Sequence, residues 1–231
     1  MNVTNPICLA LDTPDVGRAR ELARMLRHHV GYMKIGMEFF YANGVAGYEA
    51  VAAEGLPIFL DLKLHDIPNT VAQGLSSLLK LSPAPAILNV HAQGGLEMMQ
   101  AARQVVPAST KLIAVTVLTS LTDSDCHATG HNIGTAPLVE TLAKLAHAAE
   151  LDGIVCSPLD LQNLRAVLPR NFLTVVPGIR PDGVGAQDQK RIATPAAAIA
   201  AGADILVIGR AITAAADPAK AASDILAGLA Q

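Results

Sequence analysis

The residues best suited to chemistry lie in the run Ile58-Phe-Leu-Asp-Leu-Lys-Leu-His-Asp-Ile-Pro-Asn-Thr70. Its apolar residues alternate at period two, which predicts a strand with Asp61 and Lys63 on the face opposite the leucines. A sheet with one face in water would give the same alternation, so the surroundings must decide. Burying a carboxylate with an ammonium is costly unless the two pair, so a chain that buries both is expected to use them. With Asp66 in the following turn, the run favours a functional site over a structural ion pair.

The elements that would position this run form a repeating strand–helix pattern along the chain. Thr13-Pro14 predicts the start of the first helix, with threonine as the N-cap and proline at the first helical position. Eight such units in 231 residues predict an α/β fold, a single (β/α)8 (TIM) barrel domain over residues 1–231. A doubly wound sheet is disfavoured, because Asp-Thr-Pro rather than G-x-G-x-x-G follows Leu11. The predicted strands are Ile7–Leu11, Tyr32–Ile35, Ile58–Leu64, Ile87–His91, Leu112–Leu118, Gly153–Cys156, Phe172–Val176 and Asp204–Ile208.

Polar residues stand where these otherwise apolar strands end. In a barrel of this kind the active site lies at the carboxyl ends of the strands. An ordinary loop position is the simpler explanation for any single residue. For the four charged residues at the ends of the first three strands, that explanation would require four unrelated coincidences. The polar residues at strand ends are Asp12, Lys34, Asp61, Lys63, Asn89, His91, Thr119, Arg180, Gly209 and Arg210.

The last two strand–helix units are typical of a phosphate site. Barrel enzymes often bind phosphate at the loops after the seventh and eighth strands. The long loop after the seventh strand begins at Pro177, and its Arg180 and Gln189 could donate to phosphate oxygens. The alternative interpretation is a flexible surface loop without a function. After the eighth strand, Gly209 lets the backbone approach an anion and Arg210 can bind it bidentately. No G-x-x-x-x-G-K-[ST] motif occurs, so a P-loop is excluded.

The composition argues against several classes of function. The formal net charge is −3, no Lys/Arg block occurs and tryptophan is absent, so no nucleic-acid partner is expected. Three cysteines without a C-x-x-C motif suit reduced thiols in a cytosol better than disulfides. No apolar run could span a bilayer, so we expect a soluble cytoplasmic protein without a membrane partner. Cys126, His127 and His131 fit no zinc spacing, and no metal site is expected.

The chain resembles the orotidine 5'-phosphate decarboxylase family, most closely its short bacterial branch, over essentially its whole length. The run from Phe59 to Thr70 is the most specific part of the resemblance. The resemblance implies conversion of orotidine 5'-monophosphate to UMP and carbon dioxide, the last step of de novo pyrimidine nucleotide synthesis. It also implies that no metal or cofactor is used, and that a homodimer carries its sites at the subunit interface. The other matching features are Asp12, Lys34, Pro177-Gly-Ile-Arg180, Asp188-Gln189 and Ile208-Gly-Arg210.

The resemblance also implies a catalytic set. Lys63 is expected to stabilise the carbanion that forms at C6 of the pyrimidine and then to protonate it. Asp61 and Asp66 would flank Lys63 and favour its charged form, with Asp66 reaching in from the partner subunit. Asp61 would also lie near the substrate carboxylate. Lys34 would join this charge array, which makes the catalytic set Lys34, Asp61, Lys63 and Asp66.

The remaining matching residues are expected to bind the substrate. The ribose hydroxyls would contact Asp12 and Lys34, and the pyrimidine would lie near Thr119. Binding of the phosphate, remote from the reacting carbon, would drive closure of a lid. Ile67 and Thr70 would belong to the site of the partner subunit. The substrate-binding set is Asp12, Lys34, Asp61, Ile67, Thr70, Thr119, Pro177, Arg180, Gln189, Gly209 and Arg210, of which Arg180, Gln189, Gly209 and Arg210 would hold the phosphate.

Two alternative functions share parts of the pattern. Metal-dependent 3-keto-gulonate 6-phosphate decarboxylases and hexulose-phosphate synthases share D-x-K-x-x-D but need a carboxylate in place of Lys34, whose charge would repel Mg²⁺. A non-catalytic barrel that senses a phosphorylated ligand would not explain Lys63 between two carboxylates. The chain also departs from the family pattern at Ala186-Gln187, where Gly-Asp is expected, and at Gln93, where serine is familiar.

Overall fold

Eight parallel strands pair in sequence order in the computed structural model of the chain, and the eighth strand pairs with the first to close a barrel. The structure describes residues 5–181 and 191–229. The predicted (β/α)8 barrel is therefore confirmed. The strands are β1 (Ile7–Leu11), β2 (Tyr32–Gly36), β3 (Ile58–Leu64), β4 (Ile87–His91), β5 (Lys111–Val115), β6 (Gly153–Val155), β7 (Leu173–Val176) and β8 (Ile205–Ile208).

A helix follows each strand, and β5 and β8 are each followed by an additional short helix before the longer one. Short 3₁₀ turns also lead into the helices after β4 and β6. None of the helices in the described part of the chain is long and apolar enough to cross a membrane. The helices are α1 (Val16–Leu26), α2 (Met37–Ala52), α3 (Pro68–Leu78), α4 (Gly95–Val105), α5 (Asp123–Ala128), α6 (Thr135–Ala148), α7 (Leu161–Val167), α8 (Pro195–Ala200), α9 (Arg210–Thr213) and α10 (Pro218–Gly228).

Side-chain caps determine where several helices begin. Thr194 and Asp217 cap α8 and α10, and each is followed by a proline at the first helical position. The prediction for α1 was wrong, because its N-cap is Asp15 rather than Thr13. The Asp15 carboxylate accepts the backbone N–H of Arg18 at 3.0 Å, whereas the Thr13 hydroxyl accepts the N–H of Asp15 at 3.2 Å. Threonine therefore forms a turn before the helix, and the carboxylate caps it.

The segment after β5 differs from the prediction. The strand ends at Val115 instead of Leu118, and part of the polar segment that follows forms α5. A reciprocal capping box between Thr122 and Asp125 starts this helix. Asp123 in turn accepts hydrogen bonds from the backbone and hydroxyl of Thr135, at the start of α6. These two acidic residues are thus used to cap helices.

Alternate residues of β3 belong to two different packing layers. Ile58, Leu60 and Leu62 pack with the helices in the main core. Phe59 packs with residues of other strands in a smaller inner layer. Continuation of this alternation brings Asp61 to the carboxyl end of the barrel interior. The inner layer consists of Cys8, Ala10, Phe59, Ile87, Ile113, Val175, Ile205 and Val207.

Candidate active site

A cleft of about 430 Å³ opens at the carboxyl ends of the strands, where barrel enzymes carry their active sites. Its volume lies within the range of about 300–1,000 Å³ that is usual for small-molecule sites. Most of the predicted site residues contribute to its surface. These are Asp12, Lys34, Asp61, Lys63, Thr119, Pro177, Arg180, Gly209 and Arg210.

Four charged side chains form a row of alternating sign in the cleft. The ammonium of Lys63 donates to Oδ1 of Asp61 at 2.7 Å. The ammonium of Lys34 lies 3.4 Å from Oδ2 of Asp61 and 3.2 Å from Oδ1 of Asp12. Asp61 therefore holds one ammonium at each carboxylate oxygen. Because neighbours in this row have opposite charges, adjacent members attract one another.

Burial and charge pairing act in opposite directions on the two central members of the row, Lys34 and Asp61, which are both buried. Burial raises the pKa of the Asp61 carboxyl, but Lys34 and Lys63 outweigh this effect and the pKa lies below its ordinary value. Burial lowers the pKa of the Lys34 ammonium, but Asp61 and Asp12 outweigh it and the pKa lies above its ordinary value. Both groups are thus charged at neutral pH. The Lys63 side chain is more accessible, at 25% exposure, and can reach a bound molecule.

The backbone of β3 departs from regular strand geometry at Lys63. Its φ of 55° lies in the left-handed region, which residues other than glycine rarely adopt. The pairing of β3 with β4 also shifts register between Leu60 and Leu64. Such irregularities re-aim side chains and are common beside active sites. The alternating sequence predicted that Lys63 faces the barrel interior, but not this change in the backbone.

The loops after β7 and β8 bring two arginines to the cleft, Arg180 and Arg210. Arg180 is 8% exposed and donates through Nη1 to the carbonyl of Ile179 at 2.8 Å. Its buried Nε has no hydrogen-bond partner in the described part of the chain. A Cβ on Gly209 would lie 3.5 Å from Oδ2 of Asp12, so the end of β8 lies directly beside the charge row. Guanidinium groups at such a position are suited to bind an anion.

Four predicted site residues are not part of this cleft as described. Asp66, Ile67 and Thr70 are exposed and do not line it. Oδ1 of Asp66 instead accepts the backbone N–H of Ile67 at 2.7 Å. The fourth, Gln189, lies outside the described residues, as do Asp188 and the departure at Ala186-Gln187.

The structure also brings residues to the cleft and its charge row that the sequence pattern does not single out. The sequence marks Asn89 only as a polar residue at a strand end, yet its amide contacts both Asp61 and Lys63. Strand periodicity indicates which apolar residues face the barrel interior. It does not indicate which of these residues lie at the carboxyl end of the barrel and line the cleft. Nε2 of Gln93, the second departure, lies 3.4 Å from Nε2 of His131. The additional lining residues are Ala10, Phe59, Val115, Val117, Leu118, Ser120, Val155, Cys156, Gly178 and Val207.

The fold and the cleft define an enzyme of the (β/α)8 class with a charged site at the carboxyl ends of its strands. Comparison with known proteins identifies the family. The chain belongs to the Orotidine 5'-phosphate decarboxylase / HUMPS family, whose model matches residues 5–225.

Individual relatives match nearly the whole chain. An orotidine 5'-phosphate decarboxylase of Sphingopyxis alaskensis is 52% identical over 227 residues, which covers 98% of this chain and 100% of the relative. The orotidine 5'-phosphate decarboxylase of Rhodospirillum rubrum is 51% identical over 227 residues, which covers 94% of this chain and 91% of the relative. Among solved structures, orotidine 5'-phosphate decarboxylase from Lactobacillus acidophilus superposes with a TM-score of 0.85 at 36% identity, covering 98% of this chain and 100% of that chain.

Proposed function

We propose that this protein decarboxylates orotidine 5'-monophosphate to UMP and carbon dioxide, the last step of de novo pyrimidine nucleotide synthesis, without a metal or an organic cofactor. The observation that carries the proposal is the Lys63 ammonium, held 2.7 Å from Asp61 in a cleft of suitable size. Relatives that are 51–52% identical over almost the full chain bear the name of this enzyme.

Lys63 is the acid of the proposed reaction. Departure of carbon dioxide leaves the bonding electron pair on C6 of the pyrimidine. The Lys63 ammonium stabilises this carbanion, an interaction that is stronger in the transition state than in the ground state. Lys63 then gives a proton to C6, which forms UMP, and the neutral amine takes a proton from water. Asp61 holds the ammonium in place, and its repulsion of the substrate carboxylate is relieved as carbon dioxide leaves.

Lys34 separates this reaction from the metal-dependent reactions of the same family. Its buried ammonium lies between Asp12 and Asp61, and the surrounding carboxylates raise its pKa against the effect of burial. A cation fixed at this point opposes the binding of Mg²⁺ by the same two carboxylates. Lys34 therefore favours orotidine 5'-monophosphate over the sugar phosphates as substrate.

The remaining lining residues match the other parts of a nucleotide. Asp12 and Lys34 are proposed to bind the ribose hydroxyls, and Thr119 lies on the cleft surface where the pyrimidine would bind. Arg180 and Arg210, with the backbone at Pro177 and Gly209, form the end of the cleft that is suited to phosphate. Gln189 is proposed as a further phosphate ligand. Phosphate binding far from C6 would contribute energy that the reaction uses for closure and desolvation.

A homodimer would complete the site. Asp66 and Thr70 are exposed and Ile67 is 67% exposed, so all three are accessible to a second copy of the chain. We place Asp66 of each subunit beside Lys63 of the other, where it would supply the second flanking carboxylate. Residues 1–231 would form one barrel domain in each subunit. The buried free thiols are consistent with a reducing cytoplasm.

Loss of orotidine 5'-monophosphate, followed by its ultraviolet absorbance, tests the proposal. The purified protein is expected to convert it to UMP at the same rate with and without excess EDTA. The matched substrate control is 3-keto-gulonate 6-phosphate with Mg²⁺, which should not be decarboxylated. Absence of turnover on orotidine 5'-monophosphate would refute the proposal, and activity abolished by EDTA would favour the metal-dependent members of the family.

A further inference from the structure

We propose that Asn89 is a positioning residue for the reaction of Lys63, an inference that rests on the proposed decarboxylase function. Asn89 lies on β4, is completely buried and does not line the cleft. Its side chain nevertheless contacts both members of the central ion pair, Asp61 and Lys63. It therefore acts on the reaction through these two residues rather than by touching the substrate.

Regular pairing between β3 and β4 is interrupted where Asp61 and Lys63 lie. The β4 partners of Leu60 and Leu64 are only two residues apart, so residues 61–63 lie opposite Asn89 alone. Lys63 also has a φ of 55°, outside the strand region. Its backbone N–H thus has no regular ladder partner and needs another acceptor, because an unpaired N–H at this depth is unfavourable.

The amide of Asn89 supplies that acceptor and holds the carboxylate as well. Its Oδ1 accepts the backbone N–H of Lys63 at 2.8 Å, and its Nδ2 donates to Oδ1 of Asp61 at 2.7 Å. An N–H donor on one side and a carboxylate on the other leave one possible orientation of the amide. The same Asp61 oxygen receives the Lys63 ammonium. One neutral side chain therefore fixes both the backbone from which Lys63 projects and the group that holds its charge.

Loss of this amide should affect turnover more than binding. Without it, the Lys63 backbone and the Asp61 carboxylate can both move, and the ammonium is displaced from the reacting carbon. A displacement of about 1 Å at a reacting group can cost on the order of 100-fold in rate. Because Asn89 does not form part of the cleft surface, the affinity for substrate and product should change little.

The first test is Asn89→Ala, compared with Thr110→Val as a control. Thr110 is equally a buried polar residue, and its hydroxyl donates to the carbonyl of Pro85 away from the cleft. For Asn89→Ala we expect kcat per folded enzyme to fall at least tenfold, while KM and the Kd for UMP stay within threefold. For Thr110→Val we expect a lower melting temperature with unchanged kcat, which is the result of a merely structural role.

The second test is Asn89→Asp, which separates positioning from packing by its pH profile. An ionised carboxylate can accept from Lys63 but repels Asp61, whereas a protonated one offers an acceptor and a donor, as the amide does. Turnover relative to wild type should therefore recover as the pH falls from 9 to 6. The wild-type profile, measured alongside, accounts for the charged groups nearby: Lys34, Asp61, Lys63, His65 and His91.

The outcomes distinguish the inference from the function on which it rests. An active wild type with unchanged kcat in Asn89→Ala, or with a loss confined to KM, overturns the role of Asn89. So does an Asn89→Asp variant that is impaired equally at every pH, and this profile decides the matter if the alanine variant does not fold. A wild type that does not decarboxylate orotidine 5'-monophosphate overturns the proposed function and the inference with it.

Discussion

The Lys63 ammonium lies 2.7 Å from Oδ1 of Asp61, a residue only two positions earlier on the same strand. The pair is local in sequence, but its surroundings are not. Lys34 from β2 occupies the other carboxylate oxygen of Asp61, and Asn89 from β4 supports the first. The carboxylate at the centre of the site is therefore held by three strands, and this arrangement determines how the protein should respond to substitution.

Replacement of Asp61 should destabilise the protein in a pH-dependent way. Asp61→Asn is expected to cost about 3 kcal/mol of unfolding free energy at neutral pH, because Lys34 and Lys63 lose their shared partner. The pKa of Asp61 is depressed in the folded protein, so its contribution is present above the unfolded value of about 4 and is lost as the pH falls through the folded value. Urea titrations of both proteins should show a difference that shrinks below about pH 4. A constant difference between pH 7 and pH 3 would contradict the ion-pair account.

Replacement of Arg180 should weaken binding through the phosphate. Arg180→Ala is expected to raise KM for orotidine 5'-monophosphate at least tenfold, because a charge-assisted contact to the phosphate is lost. Turnover of orotidine, which lacks the phosphate, should be unaffected by the same substitution. The control is Arg18→Ala on the exposed surface of α1, where the guanidinium pairs with Glu21. Equal losses on the two substrates would show that Arg180 supports the fold and not the phosphate.

The proposed homodimer with shared sites predicts that two inactive variants can complement each other. Lys63→Ala and Asp66→Ala are each expected to be nearly inactive as homodimers. In a mixed dimer both lesions fall in one site and the other site is intact, so random reassortment should restore about a quarter of the wild-type activity. Co-expression of two differently tagged chains followed by tandem purification isolates the mixed dimer, which should show about half of the wild-type activity. No recovery in an isolated mixed dimer would place Asp66 outside the partner's site.

Close packing between β6 and β7 gives a prediction about stability alone. A Cβ on Gly153 would lie 2.3 Å from the carbonyl oxygen of Leu173, so Gly153→Ala should cost about 1–3 kcal/mol. Gly228 near the end of α10 has no atom within 4 Å of an added Cβ, and Gly228→Ala should be neutral or stabilise by about 0.5–1 kcal/mol. Melting curves of the two variants test this pair. Equal effects would mean that the two strands are not as closely packed as described.

Most of the barrel could be predicted from the sequence because strand and helix periodicities are local. β1, β3 and β4 have the predicted bounds, and the strand ends carry the expected charges into one cleft. What the pattern could not predict depends on contacts between distant residues. The left-handed backbone of Lys63 is stabilised by Asn89 on β4, and β5 ends at Val115, the last residue that pairs with both β4 and β6. Thr13 and Asp15 are both suitable N-cap residues for α1, and the sequence alone does not indicate which of the two caps the helix.

The measurement that tests the account most directly is turnover and product binding by Lys63→Ala. The kcat of the variant is expected to fall by about 100-fold to 10,000-fold, which is the usual contribution of a positioned acid. Its Kd for UMP should stay within a few-fold of the wild-type value. Lys220→Ala, which removes a surface ammonium paired with Asp224, serves as the control and should match wild type in both. Turnover by Lys63→Ala close to that of wild type would contradict the claim that this ammonium protonates the substrate carbon.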